Sequence, residues 1–340
     1  MPVVPPLHRL FRVDGQSPDR LLRALRHWLP EFSWSQLRGL LSARRVAVGG
    51  ALCLWEERRL RVGETVEVVP HPLPPPPGDR DVRIVYRDLE AVVVEKPPRM
   101  ITLRHRAEER WPADRKRLQP ALIESAARLV GGEDRPVPLI AVQRIDRDTS
   151  GLVVFARTPA AAEGLIRQFA DHAVQRVYRA LIPGDFPDQT LRSRLVRDRG
   201  DGLRGSGRGP GEREAITAVR TVGAWRGGRP PQSYSELECR LQTGRTHQIR
   251  IHLAEAGAPL CGDQVYRGPV GEPPLPDLSG VPRLALHAAE LGFVHPASGQ
   301  RLEFAAPWPR DIARLLEGWI PLARHSEDPA EAAAPTKEFS

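Results

Sequence analysis

The chain has 340 residues, enough for one domain with a full core and a smaller companion. Its formal net charge is +8, and only Lys96, Lys116 and Lys337 among its 50 basic residues are lysine. That bias suits forked contacts to phosphate and stacking on bases, and it equally suits an arginine-rich genome. Cys53, Cys239 and Cys261 form no C-x-x-C, which argues against a disulfide framework or a zinc knuckle. No apolar signal core opens the chain and no run approaches the roughly 18 apolar residues of a membrane span. A soluble, cytoplasmic protein with no membrane partner is expected.

In chain order, an extension of residues 1–16 precedes "SPDRLLRALRHWLP", which predicts a helix capped by Ser17, with Pro18 at its first position and Leu21, Leu22, Leu25 and Leu29 on one face. "SWSQLRGLLSARR" predicts a second helix, and "RVAVGGALCLWEERRLRVGETVEVV" a set of short strands turned at Gly49-Gly50 and Gly63-Glu64. Arg38, Arg44 and Arg45 mark a basic end that could lie along a phosphate backbone or form a solvated face. Helix, helix and small sheet over residues 17–69 resemble the alpha-L (ribosomal-protein-S-four-type) RNA-binding domain, although Gly49 stands at the usual asparagine. Proline totals 35, about twice the usual share, and concentrates in "PHPLPPPPGDR", a semi-rigid linker over 70–80.

An α+β pattern follows over 81–323. "VRIVYRDLEAVVVEKPP" predicts two strands around a turn at Arg87-Asp88, and "ALIESAARLV" a helix stopped by Gly131-Gly132. "TPAAAEGLIRQFADH" predicts a helix capped by Thr158 with Pro159 in its first turn. "QRVYRALIPG", "AITAVRTVGAW" and "SYSELECRLQ" predict strands, and the glycine-rich 198–213 between them a mobile loop. "TGRTHQIRIHLAEAG" reads as a turn entering a helix that ends at Gly257. A hairpin turned at Pro296 to Gly299, a closing helix in "DIARLLEGW" and a disordered tail over 324–340 complete the chain.

Three polar stretches interrupt apolar structure: the Asp146 turn in "PLIAVQRIDRDTSGLVVFAR", Tyr178 within a strand, and "GRTHQIRIH". On a turn, Asp146 and Asp148 could be mere solvation, or a carboxylate placed where a substrate must reach it. His247 and His252 are five apart, which on a helix turns them to different faces, so no metal is expected. No nucleophile elbow, phosphate loop or G-x-G-x-x-G occurs, which leaves carboxylate chemistry without a cofactor.

"RIDRDTSGLVVFAR", "QRVYRALI", "TGRTHQIRIHLAEAGAPLCGDQVY" and "LALHAAELGFVHP" resemble, in order and spacing, the motifs of the RluA-type pseudouridine synthases. The resemblance implies a mixed, largely antiparallel sheet with flanking helices, RNA as partner and isomerisation of uridine to pseudouridine. Asp146 would be the catalytic aspartate, acting as nucleophile or base. Arg245 would pair with it and hold it ionised. Tyr178 would stack on the uracil, its hydroxyl a candidate for proton removal at carbon 5. Arg144 would fill the gap left by the flipped nucleotide. Thr149 and Ser150 would brace the turn, Gln248 and Arg250 would position the helix start or the RNA, and Lys96 would be structural or phosphate-facing; Thr149, Gln248, Arg250 and Lys96 are counted among the substrate and RNA contacts.

Gln143 stands at a usual histidine, and "RMITLRHRAEER" replaces a usual Gly-Leu and His-Pro; both bear on RNA positioning. A monomer acting on large-subunit rRNA is expected, with tRNA as second choice. The rival readings are a non-catalytic RNA-binding or assembly protein, and a glycosidase that pairs Asp146 with Asp148.

Overall fold

The computed structural model describes residues 8–322 and the backbone of Thr336–Glu338. The elements in chain order are β1 (Arg9–Arg12), α1 (Leu21–Trp28), α2 (Trp34–Ser42), β2 (Val46–Val48), β3 (Ala51–Leu52), β4 (Thr65–Val68), β5 (Arg83–Arg87), β6 (Ala91–Lys96), α3 (Ala113–Leu118) and α4 (Leu122–Gly131). There follow β7 (Ile140–Ala141), β8 (Ser150–Ala156), α5 (Pro159–Ala170), β9 (Gln175–Pro183), β10 (Gln189–Val196), β11 (Gly205–Ser206), β12 (Arg213–Gly227) and β13 (Gln232–Leu241). The last are α6 (Gln248–Glu255), β14 (Leu286–Val294), β15 (Arg301–Ala305), α7 (Arg310–Glu317), β16 (Ile320–Pro321) and β17 (Thr336–Glu338). They divide into two compact units.

The smaller unit comprises the described part of Met1–Pro76 with Arg110–Gln119 and Asp198–Leu203. Its four-stranded sheet runs β1-β4-β2-β3. Leu21, Leu25, Leu37 and Leu40 are sealed against Val46, Val66 and Val68, each buried leucine contributing roughly 1.5–3 kcal/mol. The extension expected over 1–16 is not separate, since Arg9–Arg12 is the edge strand antiparallel to β4. Ser17 caps nothing. The Asp14 carboxylate gathers the N–H groups of Gln16 and Ser17 and the Ser17 hydroxyl into a turn. The helix therefore starts later, where the Leu21 and Leu22 N–H groups reach the carbonyls of Arg58 and Glu56. The second helix begins where the spacing places it, with Ser33 and Gln36 closing a capping box.

The larger unit comprises Pro77–Glu109, Pro120–Arg197 and the described residues from Arg204 on. One mixed sheet runs β11-β10-β12-β13-β9-β14-β8-β6-β5, with β7, β15, β16 and β17 pairing at its sides. All its pairs are antiparallel except β14 with β8 and β10 with β17. Alternation along β6 and β8 builds two cores. Val92, Val94, Val153 and Phe155 face α4 and α6 on one side, while Val93, Leu152 and Val154 pack with Ala161 and Leu165 of α5 on the other. β8 is buried along its whole length. Thr158 caps α5 as expected, its hydroxyl accepting the Ala161 N–H.

The stretch 198–213 is not a loose loop. Asp198 accepts the N–H groups of Gly200 and Gly202, Asp201 pairs with Arg199, β11 adds to β10, and the Ser206 hydroxyl donates to Glu255. Glycine density marks tight turns here. Of the expected disordered tail, Thr336–Glu338 runs parallel to β10, and the rest lies outside the described residues. Among the described residues no helix is long and apolar enough to cross a membrane.

Candidate active site

The register centres the site on Ala288 of β14, which stands opposite Gly151 of β8 on one side and Tyr178 of β9 on the other. Asp146 lies in the turn that feeds β8, where the Thr149 N–H donates to the Asp146 carbonyl. A β-carbon on Gly151 would sit 2.3 Å from the Ala288 carbonyl oxygen, and Gly151 has φ +117°. Only glycine permits that approach.

The turn is held from behind by buried polar groups. The Lys96 ammonium, fully buried at the end of β6, donates to the carbonyls of Pro97, Met100 and Arg147 at 2.8–2.9 Å. The Thr102 hydroxyl donates to the Ile145 carbonyl at 2.8 Å and accepts its N–H at 3.1 Å. The unfamiliar "RMITLRHRAEER" stretch is thus a clamp on the segment that carries Asp146. Ser150 Oγ lies 2.9 Å from His287 Nδ1, and His287 Nε2 lies 3.2 Å from the Ala306 carbonyl. Since a carbonyl can only accept, the proton is on Nε2 and Nδ1 accepts from Ser150. Burial lowers the His287 pKa to about 4 and keeps the ring neutral.

In front of the turn is a cleft of about 520 Å³ whose wall includes Gln143, Arg144, Thr149, Arg176, Tyr178, Arg245, His247 and Arg250. Among the described residues that line it, Asp146 is the one carboxylate. Tyr178 is nearly buried; burial first, and then Asp146 against the opposing pull of Arg176, push its pKa up to about 12. Its hydroxyl is therefore protonated at neutral pH. Asp148 does not line the cleft. It accepts from Arg147 at 2.8 and 3.1 Å, and although burial alone would raise its pKa, Arg147, Arg250 and Lys96 bring it below the usual carboxylate range. Two acids facing one cleft, as the glycosidase reading requires, are not present here.

Arg245 lines the cleft but forms no ion pair with Asp146. Its Nε donates to the Glu214 carbonyl at 2.9 Å, and its main-chain N–H donates to Gln248 Oε1 at 3.0 Å. β12 has captured the guanidinium, and the Gln248 side chain fixes the turn behind it. The basic side chain within reach of Asp146 is His247, with Nε2 4.0 Å from Oδ1. Its left-handed backbone, φ +61°, places it at the entrance of α6, and its Nδ1 lies 2.8 Å from the Tyr266 hydroxyl. Burial lowers the His247 pKa, opposed by Asp146. Arg250 is buried and bidentate to Asp263 at 2.7 and 2.8 Å, its guanidinium 5.0 Å from the centre of the Tyr266 ring. Burial alone would lower its pKa; Asp263, then Asp146 and Asp148, raise it above the usual arginine value.

Other expected contacts also move. Lys96 is sealed from any RNA. Gln248 is buried and fully engaged, accepting from Thr243 and Arg245 and donating to Ile216 and Thr217. Arg144 is exposed on the cleft wall, while Thr149 is buried there with an unpartnered hydroxyl. In the smaller unit Arg38 pairs with Glu56 at the surface, and Arg45 is buried with Nε donating to the Val69 carbonyl at 2.8 Å. Arg44 adopts φ +58° and its carbonyl accepts from Leu73. Asp263, Tyr266 and Arg176 were not singled out from sequence, and His247 was weighed there only as half of a metal-binding pair. Asp263 and Tyr266 do fall within the quoted "LCGDQVY" motif.

A mixed sheet that brings one carboxylate to the centre of an arginine-lined cleft defines an enzyme built to receive a polyanion. Residues 90–255 match the family model for RNA pseudouridylate synthase. The chain is 36% identical over 310 residues to the ribosomal large subunit pseudouridine synthase D of Zymomonas mobilis, covering 88% of this chain and 93% of that one. It is 32% identical over 341 residues to the protein of the same name in Xanthomonas campestris, covering 94% and 93%. The solved structure of human RNA pseudouridylate synthase domain containing 1 shares the fold, with a TM-score of 0.54 and 22% identity over 73% of this chain and 91% of that one. The chain belongs to the RNA pseudouridine synthases and is an isomerase.

Proposed function

We propose that this enzyme converts specific uridines of large-subunit ribosomal RNA to pseudouridine, with Asp146 as the group that initiates the reaction. The observation that carries this reading is the placement of Asp146 as the one carboxylate among the described residues lining the cleft, whose wall also includes Tyr178. The two relatives described above, which span nearly the whole chain, are named for the large ribosomal subunit, which supports the choice of RNA.

The reaction breaks the bond between N1 and the ribose, turns the base and joins carbon 5 to the ribose; one proton leaves carbon 5 and one is gained at N1. A stacked base hides its glycosidic bond, so the uridine must be flipped into the cleft, with exposed Arg144 placed to fill the gap. An ionised Asp146 can then attack the nucleoside or remove a proton from it. The basic side chain within 4.0 Å of its carboxylate is His247, while the Arg245 guanidinium is turned to the Glu214 carbonyl. Tyr178 offers a neutral aromatic face. With its pKa near 12, its hydroxyl takes the carbon-5 proton only if its own proton moves on at the same time. Tyr178→Phe keeps the ring and should lower turnover far more than RNA binding.

The test is a site-resolved pseudouridine map of total RNA from cells with the gene intact, deleted, and restored with Asp146→Ala. Loss of one or a few large-subunit positions, not restored by the variant, supports the reading. Loss only in tRNA would move the substrate there, and restoration by the variant would overturn the role of Asp146.

A further inference from the structure

Gln143 enters the cleft wall one residue before Arg144 and three before Asp146, and its amide makes no hydrogen bond to any described residue. Its Nε2 is buried without a partner. The Thr149 hydroxyl and Arg176 Nε, on the same wall, are also buried and unpartnered. Native proteins rarely leave such atoms unmatched, and where they gather on one cleft a polar ligand is the natural complement. The contrast with Gln248 is direct: that buried amide spends both ends on the protein.

The chemistry of the ligand follows from the amide. Whichever way it is turned, it presents one acceptor beside two donors, which matches the edge of a nucleobase and not a phosphate. Phosphate is better served by the guanidinium of Arg144 next to it. Three residues of chain span at most about 10 Å, so a nucleotide next to one held at Asp146 is within reach of the Gln143 amide.

Resting on the function proposed above, we infer that the Gln143 amide hydrogen-bonds the edge of an RNA base flanking the target uridine, and so is a specificity determinant of this enzyme. The residue's place in the protein interior is incidental to its stability, because it bonds nothing there. Gln143→Met, similar in length and apolar, removes a buried unmatched amide.

The experiment measures kcat/KM on RNA stem-loops carrying each base at the positions flanking the target, for the natural protein, Gln143→Met and Gln143→Ala, with thermal unfolding of all three. The natural protein should prefer one base at one flanking position by about tenfold or more. Both variants should lose that preference, and Gln143→Met should unfold at the same temperature or higher. A preference that survives in both variants, or no preference in the natural protein, overturns the inference. A lower unfolding temperature in Gln143→Met would show the amide to be structural and would also overturn it. Asp146→Ala in the same assay separates the two readings: if it still forms pseudouridine, the function assigned to the cleft fails whatever Gln143 does.

Discussion

The two sides of the Asp146 turn are built on opposite terms. Behind it, three polar side chains are fully engaged: Lys96 on three carbonyls, Thr102 on both main-chain groups of Ile145, and Ser150 on a neutral His287. In front of it, Gln143, Thr149 and Arg176 leave buried polar atoms unmatched. A satisfied network fixes geometry, and an unsatisfied one waits for a partner. Position and recognition are thereby assigned to different faces of the same seven or so residues.

That division can be broken from either side. The largest effect is expected from the front: Asp146→Ala should abolish pseudouridine formation, measured as tritium released from carbon-5-labelled RNA, while leaving the unfolding midpoint nearly unchanged. From behind, Gly151→Ala should destabilise by about 2–5 kcal/mol in urea unfolding, since the added carbon meets the Ala288 carbonyl at 2.3 Å. Equal losses of activity and stability in both variants would erase the distinction.

Acid sharpens the same contrast. His287 and His252 are buried, and burial holds each pKa at about 4 in the folded chain against an ordinary 6.5. Between those values the unfolded chain binds more protons than the folded one. Stability is thus full above pH 6.5 and falls as pH drops toward 4, by on the order of 2–3 kcal/mol per histidine. Urea titrations across that window check the slope, and His287→Asn should flatten it. The smallest effect is expected in the smaller unit. Arg38→Ala, which breaks an exposed pair with Glu56, should change stability by under about 1 kcal/mol and lower the salt slope of RNA binding by about one.

The Asp146 turn was legible because two apolar runs flank a cluster of charges, and α5 because a threonine cap and a proline at its first position leave one start. The partner of Asp146 was not legible. Whether Arg245 or His247 points inward depends on one left-handed residue and on a Glu214 carbonyl that lies 31 residues away in sequence. β10 escaped notice because its buried row includes Gln189 and Ser193, polar in sequence and buried only because the fold supplies partners such as His252 for Ser193. β1, half exposed and four residues long, carries too little alternation to be read as a strand. Lys96 read as a phosphate contact because charge predicts solvent, and nothing local announces three carbonyls converging on it.

That lysine also limits what the chain's composition can do. Forty-seven of its basic residues are arginine and three are lysine, so most cationic positions here accept a guanidinium. At residue 96 the demand is for a small tetrahedral head with three donors aimed at three oxygens, two from the loop after β6 and one from the turn that carries Asp146. A flat fork cannot meet it. At residue 96 the shape of the cationic head, and not only its charge, selects the side chain.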